Sequence, residues 1–163
     1  MKMYFLAALA LAMPAICSAQ NDNIVTGPHQ GAVTASLSGS FSSIDGDDTT
    51  NLNLFGSYFF TTVLEGMAGI TYTNIGGDNL TGLSLGGNYY FMRSMNDPNM
   101  HPYVGIRFVR FDGGGSDADG LAGALGLHYF IRPNISFTPE LVIGELDDQD
   151  YTTIQFGLTM WFR

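Results

Sequence analysis

Eight stretches of the chain alternate, residue by residue, between bulky apolar and small or polar side chains. A period of two is the mark of β-strands with unlike faces, and no stretch sustains the 3.6-residue period of an amphipathic helix. The runs cover 31–41, 51–60, 63–73, 81–91, 103–111, 120–130, 135–144 and 151–162. In the second, Leu52, Leu54, Gly56, Tyr58 and Phe60 stand against Asn51, Asn53, Phe55, Ser57 and Phe59. In the last, Phe156, Leu158, Met160 and Phe162 stand against Gln155, Gly157, Thr159 and Trp161, and only Arg163 follows. Each run is about ten residues, the length a tilted strand needs to cross a bilayer. Pro139 interrupts the seventh and predicts a bulge or a late strand start.

The two faces decide which way round such a sheet closes. One is Leu, Val, Ile, Phe and Tyr; the other is Ser, Thr, Gly, Asn, Gln, Glu, Arg and His. The lumen of an eight-stranded barrel is narrow and must be filled by side chains, which suits the small and polar set. The bulky set then faces lipid, where every backbone group must be paired and the sheet must close. The sequence predicts an all-β fold, a closed eight-stranded antiparallel up-and-down transmembrane β-barrel. A soluble binding barrel would need the bulky face inside.

The first residues read as a leader. Lys2 precedes a short apolar core, Tyr4 to Met13, then Pro14 and the small residues Cys17-Ser18-Ala19 before Gln20. The core falls short of the roughly 20 apolar residues of an anchor. A signal peptide is expected over 1–19 and the barrel domain over 20–163. Cys17 follows Ile16, which does not fit a lipoprotein signal. The chain's formal charge is −9, and loss of Lys2 makes the remainder one unit more negative. Such a chain repels phosphate backbones, which argues against nucleic-acid binding, while its aromatic content argues against disorder.

Charge is also segregated along the chain. The joins SSIDGDDTT, NIGGDN, DGGGSDADG and ELDDQD hold 11 of the 15 acids. The other joins are less acidic, and the segments LFGSYFF, LGGNYYF, LGLHYFI and FGLTMWF all bring a glycine and then aromatics to that same end. Four aromatic clusters at one end predict an interfacial girdle, with Trp161 in it. Short turns and both termini on that side predict that the acidic side faces outward as longer loops.

In this pattern the chain resembles the small bacterial outer-membrane barrels, the class of the outer-membrane protein A transmembrane domain and the virulence-associated eight-stranded barrels. The resemblance covers the whole chain after the leader. It implies location in the outer membrane of a Gram-negative-type envelope, contact with lipid and lipopolysaccharide, and biogenesis through periplasmic chaperones and the barrel-assembly machinery. The C-terminal assembly signal of such barrels is similar to polar-x-Gly-x-x-apolar-x-aromatic, and Gln155, Gly157, Met160 and Phe162 occupy those places. Arg163 departs from the usual aromatic end. The resemblance also implies that interior ion pairs plug the lumen.

Parity places Glu65, Arg107, Glu140 and His128 in the lumen, where a charge must be paired or solvated. Arg107 and Glu140 fall at similar depth and are expected to pair, with Glu65 as an alternative partner. Arg110 falls on the lipid side near the outer rim, within reach of lipopolysaccharide phosphates. Asp45, Asp47, Asp48, Asp117 and Asp119 are fragments of a Ca²⁺ site without full loop spacing, and a solvated acidic face is the simpler reading. Of His29, His101 and His128, none meets a Ser at the outer lipid face as lipid-acting enzymes of this fold require, so no catalysis and no cofactor is expected. The expected role is structural or surface interaction through the acidic side, with a narrow pore or small-molecule transport as the alternative.

Overall fold

A computed structural model describes residues 27–44, 47–75, 78–91, 97–113, 116–146 and 149–162. The expected leader and its cleavage point lie outside them. Eight strands follow one another: β1 (Val33–Ile44), β2 (Asp47–Phe59), β3 (Leu64–Ile75), β4 (Asp78–Tyr90), β5 (Met100–Gly113), β6 (Ser116–Arg132), β7 (Ile135–Leu146) and β8 (Gln149–Phe162). Each pairs antiparallel with the next, and β8 returns to β1 from Val33↔Phe162 to Gly39↔Phe156, so the sheet is a closed up-and-down barrel. Among the described residues no helix is long and apolar enough to cross a membrane, which says nothing of strands.

The alternation of the sequence becomes an alternation of exposure. On β4 Leu83 and Leu85 are 65% and 60% exposed, whereas Ser84 between them is 3% exposed. On β6 Leu121 and Leu125 point out while Ala122 and Ala124 point in. The barrel is therefore inside out relative to a water-soluble one. A continuous apolar outer surface of this extent is far beyond the scattered patches that a soluble monomer shows to water.

Two features differ from the sequence expectation. Where longer acidic loops were expected, the strands run on: at most two residues, 45–46, 76–77, 114–115 and 147–148, separate consecutive strands at that end. Asp47, Asp48, Asp78, Asp112, Asp117, Asp119, Glu145 and Asp150 thus belong to strands. The joins at the other end, where β1 begins and β8 ends, are not uniformly shorter, since Tyr90 and Met100 bound one of them. Loop length therefore does not orient the barrel, and the shared end at which β1 begins and β8 ends remains as the argument.

The second difference concerns Pro139. β7 neither starts late nor bulges there: Pro139 pairs with Phe156 of β8. The disturbance falls on the other side, where the β6–β7 ladder lapses between Gly126↔Glu140 and Tyr129↔Phe137 and the register shifts between Phe130 and Arg132. Proline has no N–H to donate to a ladder. Leu127 faces a second proline on its other flank, Pro102 of β5.

Candidate functional site: the lumen

The lumen is filled in layers, and the layer nearest the termini is aromatic. After its glycine, each of the four repeated segments places one aromatic inward, always on an even-numbered strand: Phe59, Tyr90, Phe130 and Trp161. Their neighbours Tyr58, Phe60, Tyr89, Phe91 and Tyr129 point outward. Phe59 and Trp161 are fully buried, with ring centroids 5.2 Å apart. Tyr90 packs on Phe59 at 5.2 Å and Phe130 on Trp161 at 5.1 Å. Tyr103 of β5 extends the layer by stacking near Tyr90 at 5.3 Å. The expected girdle is thus only half of these aromatics, and Trp161 belongs to the interior rather than the rim. Adjacent aromatics on a strand must part to opposite faces.

Above this layer lies a polar one. Arg107 Nη2 donates to Glu140 Oε2 at 2.8 Å, both side chains being buried. Arg107 Nη1 donates to Asn88 Oδ1 at 2.7 Å, and Asn88 Nδ2 donates to Glu65 Oε2 at 2.6 Å. The expected alternative partner, Glu65, is therefore reached through a carboxamide rather than directly. Glu65 also accepts from Tyr90 at 2.7 Å and from Ser57 Oγ. Glu140 accepts from Tyr103 at 2.6 Å and from Gln155 Nε2 at 2.5 Å, and Gln155 Oε1 accepts from Asn53 at 2.8 Å. Charge-assisted bonds of this kind are the strong ones, and here they tie β2, β3, β4, β5, β7 and β8 together across the lumen.

β6 contributes space instead of a link. A Cβ on Gly126 would overlap the Tyr103 ring and hydroxyl, so its absence lets Tyr103 reach Glu140. Gly105 likewise leaves room for Asn88 Oδ1 and Arg107 Nη1. His128 lies beneath, bonded through Nδ1 to Ser136 at 2.9 Å and Thr138 at 3.0 Å, with its ring on Tyr90, Tyr103 and Trp161. A Ser–His contact therefore does exist, but it is sealed inside the plug. Parity puts Asn53, Asn88, Tyr90, Tyr103 and Gln155 on the lumen face as well; they escape a reading that singles out only charged groups and histidine, because neutral side chains on that face give no sign of which ones bond to the charges.

The remaining candidates scatter. Gln155 is in the network, and Gly157 sits against β1, where a Cβ would come 2.7 Å from Ser38 Cβ. Met160 pairs with Ala35 and Phe162 with Val33 at the seam. His29 Nδ1 lies 3.2 Å from the Gly27 carbonyl, and His101 packs edge-on to Phe130 at 5.5 Å. Arg110 is exposed on β5, directly across from Asp119 of β6 and Leu83 of β4. Asp45 lies outside the described residues. Asp47 and Asp48 are on β2 and Asp117 and Asp119 on β6, opposite walls of an eight-stranded barrel. Among the described residues no cluster of three His, Cys, Asp or Glu could hold a metal ion.

Toward the hairpin end the lumen opens into a cavity of about 320 Å³ with Arg107, Glu140 and Gln155 at its floor. It extends to Leu146, the last residue of β7.

No protein-family model matches the sequence, and no curated protein does either. Solved structures do match. The N-terminal β-barrel domain of Pseudomonas aeruginosa OprF aligns over 82% of this chain and 98% of its own, at 15% identity and a TM-score of 0.62. Neisserial surface protein A aligns over 80% and 96%, at 18% identity and 0.58. A de novo designed transmembrane β-barrel aligns over 83% and 99%, at 16% identity and 0.59. The chain shares the fold of small outer-membrane β-barrels. A designed barrel matching about as well as natural ones underlines that the likeness is one of architecture.

Proposed function

We propose that the chain is an integral outer-membrane barrel whose lumen is closed, serving envelope structure or surface interaction through its acidic hairpin end. The observation that carries the closed reading is the aromatic layer, in which Phe59 and Trp161 have no exposed surface at all. The apolar outer wall supports the lipid environment. The start of β1 and the end of β8 at the aromatic end support the acidic end facing outward. On this reading residues 1–19 are the export leader, and Gln155, Gly157, Met160 and Phe162 address the chain to chaperones and the assembly machinery. Outer-membrane lipid and lipopolysaccharide are its standing partners. No catalytic step is proposed, since the Ser136–His128 contact lies where no substrate reaches it. Purified, refolded barrel in a planar bilayer should show no steady openings; sustained single-channel steps would overturn the closed reading.

One observation favours a transport reading instead. The lapse in the β6–β7 ladder lies beside an outer groove lined by Pro102, Leu127 and Pro139, and that groove reaches Glu140. A disulfide bridging β6 and β7 across the lapse should leave the structural role untouched and abolish any lateral passage of small apolar solutes into liposomes.

A further inference from the structure

The cavity above the Arg107–Glu140 floor has two unlike walls. On β1 to β4 and β8 it is mostly hydroxyl and carboxamide, with Ser40, Asn51, Asn53, Thr73, Ser84 and Thr153 set among Phe55 and Leu80. On β5 and β7, and at the start of β8, it is apolar and aromatic: Val109, Phe111, Val142, Leu146 and Tyr151. Small residues widen this second side, since Ala122 and Ala124 stand where β6 faces inward and Tyr151 packs against them. At about 320 Å³ the space lies at the lower end of small-molecule sites.

The polar wall is only partly satisfied by itself. Asn51 donates to Ser40 at 3.1 Å and accepts from Thr73 at 2.6 Å. The Thr49 hydroxyl and Asn53 Oδ1, both at the cavity, make no hydrogen bond to protein among the described residues. The floor, by contrast, offers no open charge. Glu140 already accepts from Arg107, Tyr103 and Gln155, and Arg107 is bonded to Glu140 and Asn88. An ionic ligand would therefore find no counter-charge to pay for its desolvation. Anions are further opposed by the acidic strand ends around the mouth, where Asp112, Asp119, Glu145 and Asp150 are exposed.

We propose that this cavity is a binding site for an uncharged, hydroxyl-rich molecule with one apolar face, the size of one or two sugar rings. Its hydroxyls meet the Thr and Asn wall, which both donates and accepts. Its C–H face lies on Phe111, Val142 and Tyr151. The plug beneath makes this a site of capture rather than passage. The proposal goes beyond the closed-barrel reading and does not depend on it, because binding to isolated barrel is measured independently of conductance.

The test is NMR titration of the folded barrel in phosphocholine micelles, which carry no sugar headgroup, with methyl β-glucoside and maltose as probes. Saturable shifts are expected at Thr73, Val109 and Val142. Glucuronate should bind about tenfold more weakly, the factor that about 1.4 kcal/mol of charge penalty produces. Val142→Trp, which fills the space, should abolish the shifts, and Asn51→Leu, which strips the polar wall, should weaken them; heat-modifiable gel mobility establishes that each variant is folded. The proposal is overturned if neither neutral glycoside gives a saturable shift, or if both folded variants bind as the unmodified chain does. It is equally overturned if cyclohexanol binds as tightly as the glycosides, since the apolar wall alone would then account for binding.

Discussion

Arg107 is surrounded by acceptors committed to it, and its removal is the sharpest test of the lumen at the scale of a residue. Arg107→Ala leaves Glu140 buried without its cation, a loss of about 3–5 kcal/mol for a buried pair broken on one side. The double change Arg107→Ala with Glu140→Leu should recover much of that loss, because neither charge then needs a partner. The urea midpoint of the heat-modifiable gel band reads both. Gly126→Val should cost about 1–3 kcal/mol by overpacking, driving the Tyr103 hydroxyl off Glu140 and weakening the same network from the opposite side. The same measurement checks it, with Gly123→Val as a control, since a Cβ there meets nothing nearer than 3.8 Å. Which face Arg107 and Glu140 occupy was legible from parity. That Asn88 would stand between Arg107 and Glu65 was not, because parity gives a side chain's face but not its depth. Depth depends on the shear of the closed sheet, which no local pattern encodes.

At the scale of the element, the strands hold one another unequally. The β4–β5 ladder runs unbroken from Thr81↔Asp112 to Tyr90↔Tyr103, whereas the β6–β7 ladder lapses opposite Leu127. Amide exchange should therefore be faster at Leu127, whose N–H points toward β7, than at Leu85, Gly86 and Ile106 in detergent-solubilised barrel. Equal protection would mean that the lapse is bridged by bound water. Strand number and type were readable because lipid on one side and a packed lumen on the other impose unlike faces. Beyond the membrane both faces meet water and the alternation fades. Stretches such as Asp47-Asp48-Thr49-Thr50 and Ser116-Asp117-Ala118-Asp119 then carry turn-forming residues while still extending the ladder, so they read as loops and are strands. The aromatic girdle is smaller than the repeated segments suggest for a related reason. Tyr58-Phe59-Phe60 is a cluster in sequence, but a strand sends its middle residue the other way.

At the scale of the molecule, side chains cross the lumen at two successive levels, the aromatic one and the Arg107–Glu140 one. Thinning one should not suffice. Phe59→Ala with Trp161→Ala leaves the Arg107–Glu140 layer intact, and Arg107→Ala alone leaves the aromatic layer intact; both barrels should stay silent in planar bilayers. Combining the changes should produce steady openings, provided that gel mobility shows a folded barrel. Conductance from either set alone would mean that one level is the whole barrier.

The even-strand origin of Phe59, Tyr90, Phe130 and Trp161 bears on the order in which the molecule can be completed. Each successive hairpin carries one quarter of the stopper in its second strand. Trp161 is the last quarter, and it arrives on β8, the strand that also meets β1. The wall and its stopper are consequently finished by a single arrival, and the nascent bore has no stage at which it is a sealed tube standing open from end to end.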